Sequence, residues 1–236
     1  MGTPKMSRRK SPGKRVDGPK LSGFKPRCLV ARTFNQKKYI RTIHANDITL
    51  CHGPAGTGKT HVACGLAVEL LRNNSVERIC IARPIVGVGK DMGYLPGSMQ
   101  EKIGPYLVPL FDELSYYLEL SKIKEMLANE VLQIVPLSMM RGRTFNDSFI
   151  ILDEAQNATL EELKMLLTRI GSQSKMILSG DLHQSDLPRN QQGAFNSVVD
   201  ALRPVQGIGV VALTDADIVR HPLIAEIAKR LTKLEK

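Results

Sequence analysis

The residues best placed to do chemistry are Gly53-Pro54-Ala55-Gly56-Thr57-Gly58-Lys59-Thr60. Glycines let a backbone wrap closely around an anion, and the amide N–H groups at the start of a helix point at it. The spacing Gly-x-x-x-x-Gly-Lys-Thr is that of a phosphate-binding loop. In such a loop Lys59 neutralises β- and γ-phosphate charge, and the Thr60 hydroxyl ligates Mg2+. Residues 48–52 before the loop read as a buried strand, and 61–72 after it as an amphipathic helix. That is the setting the motif requires, so the expected ligand is ATP with magnesium.

A second site is Phe149-Ile150-Ile151-Leu152-Asp153-Glu154, an apolar strand that ends in paired acids. Asp153 suits a magnesium site, directly or through water, and Glu154 suits the group that orients and deprotonates an attacking water. The pair points to hydrolysis rather than binding alone. A third segment, 176–184, is a strand running into Ser179-Gly180-Asp181-Leu182-His183-Gln184. There Gln184 is placed to sense the γ-phosphate or position water, and Gly-Asp-x-x-Gln resembles motif III of superfamily 1 helicases. His183 has no partner at metal-ligand spacing and reads as a surface or packing residue.

Phosphoryl transfer also needs positive charge on the leaving phosphate. Arg83, Arg141, Arg143 and Arg220 each lie near a strand end or in a loop. Of these, Arg143 and Arg220 are the expected completing arginines. Gly87-Val88-Gly89-Lys90 lacks the full spacing and the following helix, so it reads as a loop. Ahead of the first strand, the amide of Gln36 has the donor and acceptor needed to read an adenine edge.

These residues must be held by strands. Apolar runs at 48–52, 78–82, 148–152, 175–179 and 208–213, with a weaker one at 131–135, have the length and β-branched content of buried strands. Helical periodicity appears at 61–72, 99–118, 160–170 and 222–234, the second of these expected to kink or split at Pro105 and Pro109. Alternating strands and helices imply an α/β fold, a parallel sheet with helices on both faces and ligands beyond the carboxyl ends of the strands.

Charge is unevenly placed. Residues 1–41 hold 13 Lys/Arg against one acid, whereas 42–236 hold 20 basic and 22 acidic residues. The arm, 1–26, is too rich in charge, Pro, Gly and Ser to fold by itself, and 27–236 is expected to form one domain. The arm suits either phosphate contacts on nucleic acid or a solubilising tail. No apolar run reaches membrane-helix length and no secretory signal opens the chain, so a cytoplasmic protein is expected. Cys28, Cys51, Cys64 and Cys80 lack zinc spacing and read as reduced thiols, with Cys51 and Cys80 in apolar runs.

Taken together the motifs resemble the PhoH family. The resemblance rests on Asn35-Gln36-Lys37-Lys38-Tyr39-Ile40, the loop at 53–60, Arg83-Pro84, Gly93-Tyr94-Leu95-Pro96-Gly97 and Met140-Arg141-Gly142-Arg143-Thr144. It continues through Ile151-Leu152-Asp153-Glu154-Ala155-Gln156-Asn157, Ser179-Gly180-Asp181 and Val219-Arg220-His221-Pro222-Leu223. It implies a three-layer P-loop NTPase with a RecA-like core, related to the superfamily 1 helicase engine. It also implies Gln36 near adenine, Lys59 and Thr60 on phosphates and Mg2+, and Asp153 and Glu154 at the catalytic centre. Family members are associated with phosphate starvation and RNA metabolism. Some carry a fused nuclease domain, for which this chain leaves no room, so no RNase activity is expected. The expected function is an ATPase acting on RNA or single-stranded DNA. A translocating helicase uses two RecA-like cores and this chain has one, so a homo-oligomer is expected, a hexameric ring by analogy. In it Arg143 or Arg220 would reach a neighbour's ATP. The alternative is an ATP-dependent switch or scaffold with slow hydrolysis and a protein partner.

Overall fold

The computed structural model describes residues 27–85 and 99–219, those at 99–106 by their backbone. The arm at 1–26, Gly87 to Lys90, Gly93 to Gly97, Arg220 and the helix expected at 222–234 lie outside the described residues.

The apolar runs become six strands: β1 (Ile48–His52), β2 (Arg78–Arg83), β3 (Leu132–Pro136), β4 (Ser148–Leu152), β5 (Lys175–Gly180) and β6 (Ile208–Ala212). They form one parallel sheet in the order β3-β2-β4-β5-β1-β6. The runs are continuously apolar because both faces are covered and successive side chains point to opposite faces. On β4, Phe149 and Ile151 enter one core while Ile150 and Leu152 enter the other.

The first core lies under α1 (Phe34–Ala45), α2 (Lys59–Arg72), α3 (Met99–Tyr117) and α4 (Leu120–Ala128). The second lies under α5 (Leu160–Leu167) and α6 (Ala194–Leu202). The result is a three-layer α/β arrangement, one parallel sheet between two layers of helices, as expected. Three of these helices, α1, α4 and α6, were not legible in the sequence. In α1 the apolar stripe is short, with only Gln36, Tyr39 and Ile43 buried in a basic segment. The helix starts because the Thr33 side chain accepts from the Gln36 amide. α3 is not split at Pro105 or Pro109 but runs as one helix. Each of Pro105 and Pro109 removes a backbone hydrogen bond, but Leu107, Leu110, Leu114 and Tyr117 bury a stripe that continues past both. α5 ends at Leu167, three residues before the expected end, and starts in a capping box between Thr159 and Glu162. Among the described residues no helix is long and apolar enough to cross a membrane.

The position of α3 depends on a close approach to α2. A β-carbon on Gly65 would sit 2.6 Å from both Cζ and Oη of Tyr117. Tyr117 is 2% exposed, and its hydroxyl is bonded to His61, so the ring has little room to yield. Helix propensity alone favours alanine over glycine by about 1 kcal/mol. Overpacking a filled core costs about 1–3 kcal/mol. Gly65→Ala should therefore lower the melting temperature, against the sign of propensity. A raised melting temperature would show that α3 is not held this way.

Candidate nucleotide-binding and hydrolysis site

β1 ends at His52 and the chain turns at once into the glycine loop. At Gly53 a β-carbon would come within 2.4 Å of the Leu213 carbonyl oxygen, so no larger residue fits between β1 and the segment after β6. Gly56 and Gly58 have φ of 82° and 83°, the left-handed region open to glycine at little cost. Gly58 caps α2 without a side-chain bond, which leaves the first-turn amides of that helix available to an anion. The loop is braced from within and without. Thr57 Oγ1 donates to the Pro54 carbonyl at 2.8 Å, the Gly53 amide donates to Gly180 at 3.1 Å, and the Val219 amide donates to Gly56 at 3.1 Å. Lys59 Nζ donates to the carbonyls of Gly53 and Pro54 at 2.6 and 2.9 Å. Its charge thus lies over the loop, where phosphate would be cradled.

The strand order brings the carboxylates to this loop. β5 lies between β1 and β4, so the ends of all three strands meet. Thr60 Oγ1 donates to Asp153 Oδ1 at 2.7 Å, and Ser179 Oγ from β5 donates to the same oxygen at 3.1 Å. Asp153 is 5% exposed. Burial raises its pKa above the usual carboxylate value, the Glu154 charge raises it further, and the Thr60 and Ser179 hydroxyls and Arg83 oppose the shift. A hydroxyl and a carboxylate in contact suit Mg2+, which takes few protein oxygens and completes its shell with water and phosphate.

Glu154 sits in the left-handed region, φ 55° and ψ 43°, an uncommon conformation for a side chain of this size. Two partners hold its carboxylate there. Arg83 Nη2 at the end of β2 lies 3.2 Å from Oε1, and Gln156 Nε2 donates to Oε2 at 2.6 Å. Gln156 also accepts from the Asp181 amide at 3.0 Å, so one amide ties the acidic pair to the end of β5. These neighbours enclose a cavity of about 420 Å³ lined by Lys59, Thr60, Asp153, Glu154, Arg83 and Gly180 at one part of its wall. Arg32, Gln36, His61, Pro109 and Glu113 line the rest, with Ala55, Gly56, Gly58 and Val219.

Not every expected residue lies there. Gln36 does, 3% exposed, but Nε2 donates to the Thr57 carbonyl at 2.9 Å and Oε1 accepts from the Arg32 amide at 2.8 Å. Its amide braces the loop. Gln184 lies elsewhere, in a second cavity of about 320 Å³ with Gln192 and Asn196. The chain turns after β5 because Asp181 Oδ1 accepts from the His183 amide and Ser185 Oγ donates to the Gln156 carbonyl, which carries Gln184 away from the loop. Arg143 also stands outside the main cavity. It donates to Gln133 on the edge strand β3, with its guanidinium 4.9 Å from the Phe145 ring centre. Arg83 is the arginine of the four that the described residues bring to the carboxylates. Sequence reading gave Gln156 and His61 no role. The one available signal was position: His61 directly follows the glycine loop motif, and Gln156 lies two residues after Glu154. Burial pushes the Cys51 thiol up to about 12 and the Cys80 thiol up to about 11, as suits reduced core thiols.

The PhoH-like protein family matches residues 28–232. A PhoH-like protein of Synechocystis is 44% identical over 205 residues, covering 87% of this chain and 62% of the relative. A PhoH-like protein of Mycobacterium tuberculosis is 44% identical with 87% and 58% covered, and Protein PhoH of Escherichia coli K12 is 36% identical with 83% and 56% covered. The chain thus spans about three fifths of the length of these curated relatives. Among solved structures, the Pyrococcus furiosus Hef helicase domain aligns with a TM-score of 0.47 at 12% identity, covering 78% of this chain and 38% of that one. Bacteroides Pif1 bound to single-stranded DNA aligns at 0.39 and 16%, covering 84% and 45%. With the family matched over residues 28–232 and relatives 44% identical over 205 residues, the chain belongs to the PhoH-like protein family.

Proposed function

We propose that this chain binds ATP with Mg2+ and hydrolyses it, and that it acts on RNA or single-stranded DNA in the cytoplasm. The observation that carries the reading is the contact of Thr60 with Asp153 at 2.7 Å, in one cavity with Lys59 and Glu154. Thr60 and Asp153 would hold the metal, which when bound neutralises charge on the β- and γ-phosphate oxygens. The loop amides and Lys59 take the phosphate oxygens, with Lys59 turning from the Gly53 and Pro54 carbonyls. Glu154 accepts a proton from the water that attacks the γ-phosphorus, and the bond to the bridging oxygen breaks. Arg83 supplies positive charge within the chain. Arg143, which lies outside its own cavity, and Arg220 are the arginines proposed to reach a neighbour's site in a hexameric ring.

The Arg83 and Gln156 bonds hold Glu154 in place. That favours slow basal turnover, raised when nucleic acid shifts those partners. The test is steady-state phosphate release with Mg2+, with and without a panel of RNA and single-stranded DNA. Hydrolysis that disappears with EDTA and rises several-fold with nucleic acid is the expected result. Slow turnover with no response to any nucleic acid would instead support the reading of an ATP-dependent switch with a protein partner. Sedimentation with ATP and nucleic acid that shows only monomers would remove the ring.

A further inference from the structure

A triphosphate in this cavity has a direction. Its terminal phosphate belongs beside Asp153 and Glu154, so the nucleoside must leave the loop on another flank. Thr60 turns toward Asp153, and the next residue turns elsewhere because successive helical side chains diverge by about 100°. That residue, His61, faces Glu113 of α3, and both line the cavity with Arg32, Gln36 and Pro109.

The His61 ring is held by a carboxylate and two tyrosines, the Tyr117 ring tilted against it at 5.0 Å between centres. Nδ1 lies 3.0 Å from Glu113 Oε2, and Nε2 lies 2.7 Å from the Tyr117 hydroxyl, which also donates to the His61 carbonyl at 3.1 Å. Tyr116 meets the ring edge-to-face at 4.8 Å between centres. With both nitrogens engaged, the side chain keeps 26% of its surface exposed and lines the cavity. A ring fixed before a ligand arrives needs no further ordering to bind it. On the same wall, the Gln36 amide is engaged by Thr57 and Arg32, so it is occupied as a reader of base edges.

We infer that the imidazole of His61 is the platform on which the base of the nucleotide stacks. Glu113 and Tyr117 position it, and base identity is read weakly because stacking tolerates any purine. The substrate class is then purine nucleoside triphosphates, GTP as well as ATP. This inference rests on the nucleotide-binding reading above.

The test is calorimetric titration with Mg2+ and three probes: ATP, GTP and inorganic triphosphate, which has no base. The proteins are the wild type, His61→Ala and His61→Phe, each checked by thermal melting. In the wild type, ATP and GTP should bind within a few-fold of each other. His61→Ala should weaken both by about tenfold, the size of one base–aromatic stack, and leave triphosphate binding unchanged. His61→Phe, which keeps a flat ring and loses both hydrogen bonds, should recover most of the loss. Equal weakening of ATP and triphosphate in His61→Ala would show damage to the loop and overturn the platform. Unchanged ATP binding would overturn it too, and a preference for ATP over GTP well beyond tenfold would show that an edge is read. Wild-type protein that binds neither ATP nor triphosphate would remove the nucleotide reading itself, and this inference with it.

Discussion

Replacing Glu154 by glutamine should slow hydrolysis by about 10²–10⁴-fold, the range for loss of a general base, while nucleotide stays bound. Glutamine is nearly isosteric and takes no proton from water. The loop amides, Lys59, Thr60 and Asp153 are untouched, so the phosphate-binding half of the site persists. The carboxylate's two partners, Arg83 and Gln156, are both donors, at 3.2 and 2.6 Å. A neutral amide offers one oxygen and one NH2, so it can accept fully from only one of them. The variant should therefore also loosen either Arg83 or the Gln156 link to Asp181. Single-turnover hydrolysis beside equilibrium binding checks the assignment. Turnover within a few-fold of wild type would show that Glu154 is not the base.

Asp153→Asn should move activity and stability in opposite directions. Two hydroxyls donate to one oxygen of Asp153, and an asparagine oxygen can accept both. The fold therefore loses no hydrogen bond at that atom. It does lose a buried charge beside another carboxylate, the combination that raises the Asp153 pKa. A folded-state value above the unfolded one means that the group favours folding below the ordinary value of 3.8 and that this contribution is lost as pH rises through the folded-state value. At neutral pH the ionised group is a liability without its metal. The metal-free variant should then be more stable than wild type by about 1 kcal/mol, roughly 2–4 °C for a chain of this size. The advantage should shrink toward pH 4. Mg2+-dependent turnover should fall by about 100-fold or more, because the metal loses its charged protein ligand. Melting curves at several pH values, with Mg2+-dependent phosphate release, test both halves. A variant less stable than wild type at pH 7 would mean that the Asp153 charge is compensated in the fold.

The candidate site was legible where its parts are consecutive. Gly53 to Thr60 combine backbone freedom, a helix start and two reactive side chains within eight positions, and Asp153-Glu154 end a strand whose apolar run is unmistakable. Helices with wide apolar stripes, such as α2, were equally open to reading. α1 was not, because its three buried residues are spread through a basic segment.

By itself, then, the sequence determined the glycine loop between strand and helix, the acidic pair at a strand end, the parallel α/β class and five of the six strands nearly to the residue. Only the tertiary structure decided the strand order. Placing β5 between β1 and β4 brings Thr60 to Asp153 across 93 positions, and pairing β2 with β4 brings Arg83 to Glu154 across 71. The helices packed on that sheet engage Gln36 on the loop and set His61 against Glu113, and the turn after β5 carries Gln184 to another cavity. Hydrophobic periodicity states which face of an element is buried. It does not state which element lies next to it, and the partners of Glu154 and His61 depend on that adjacency.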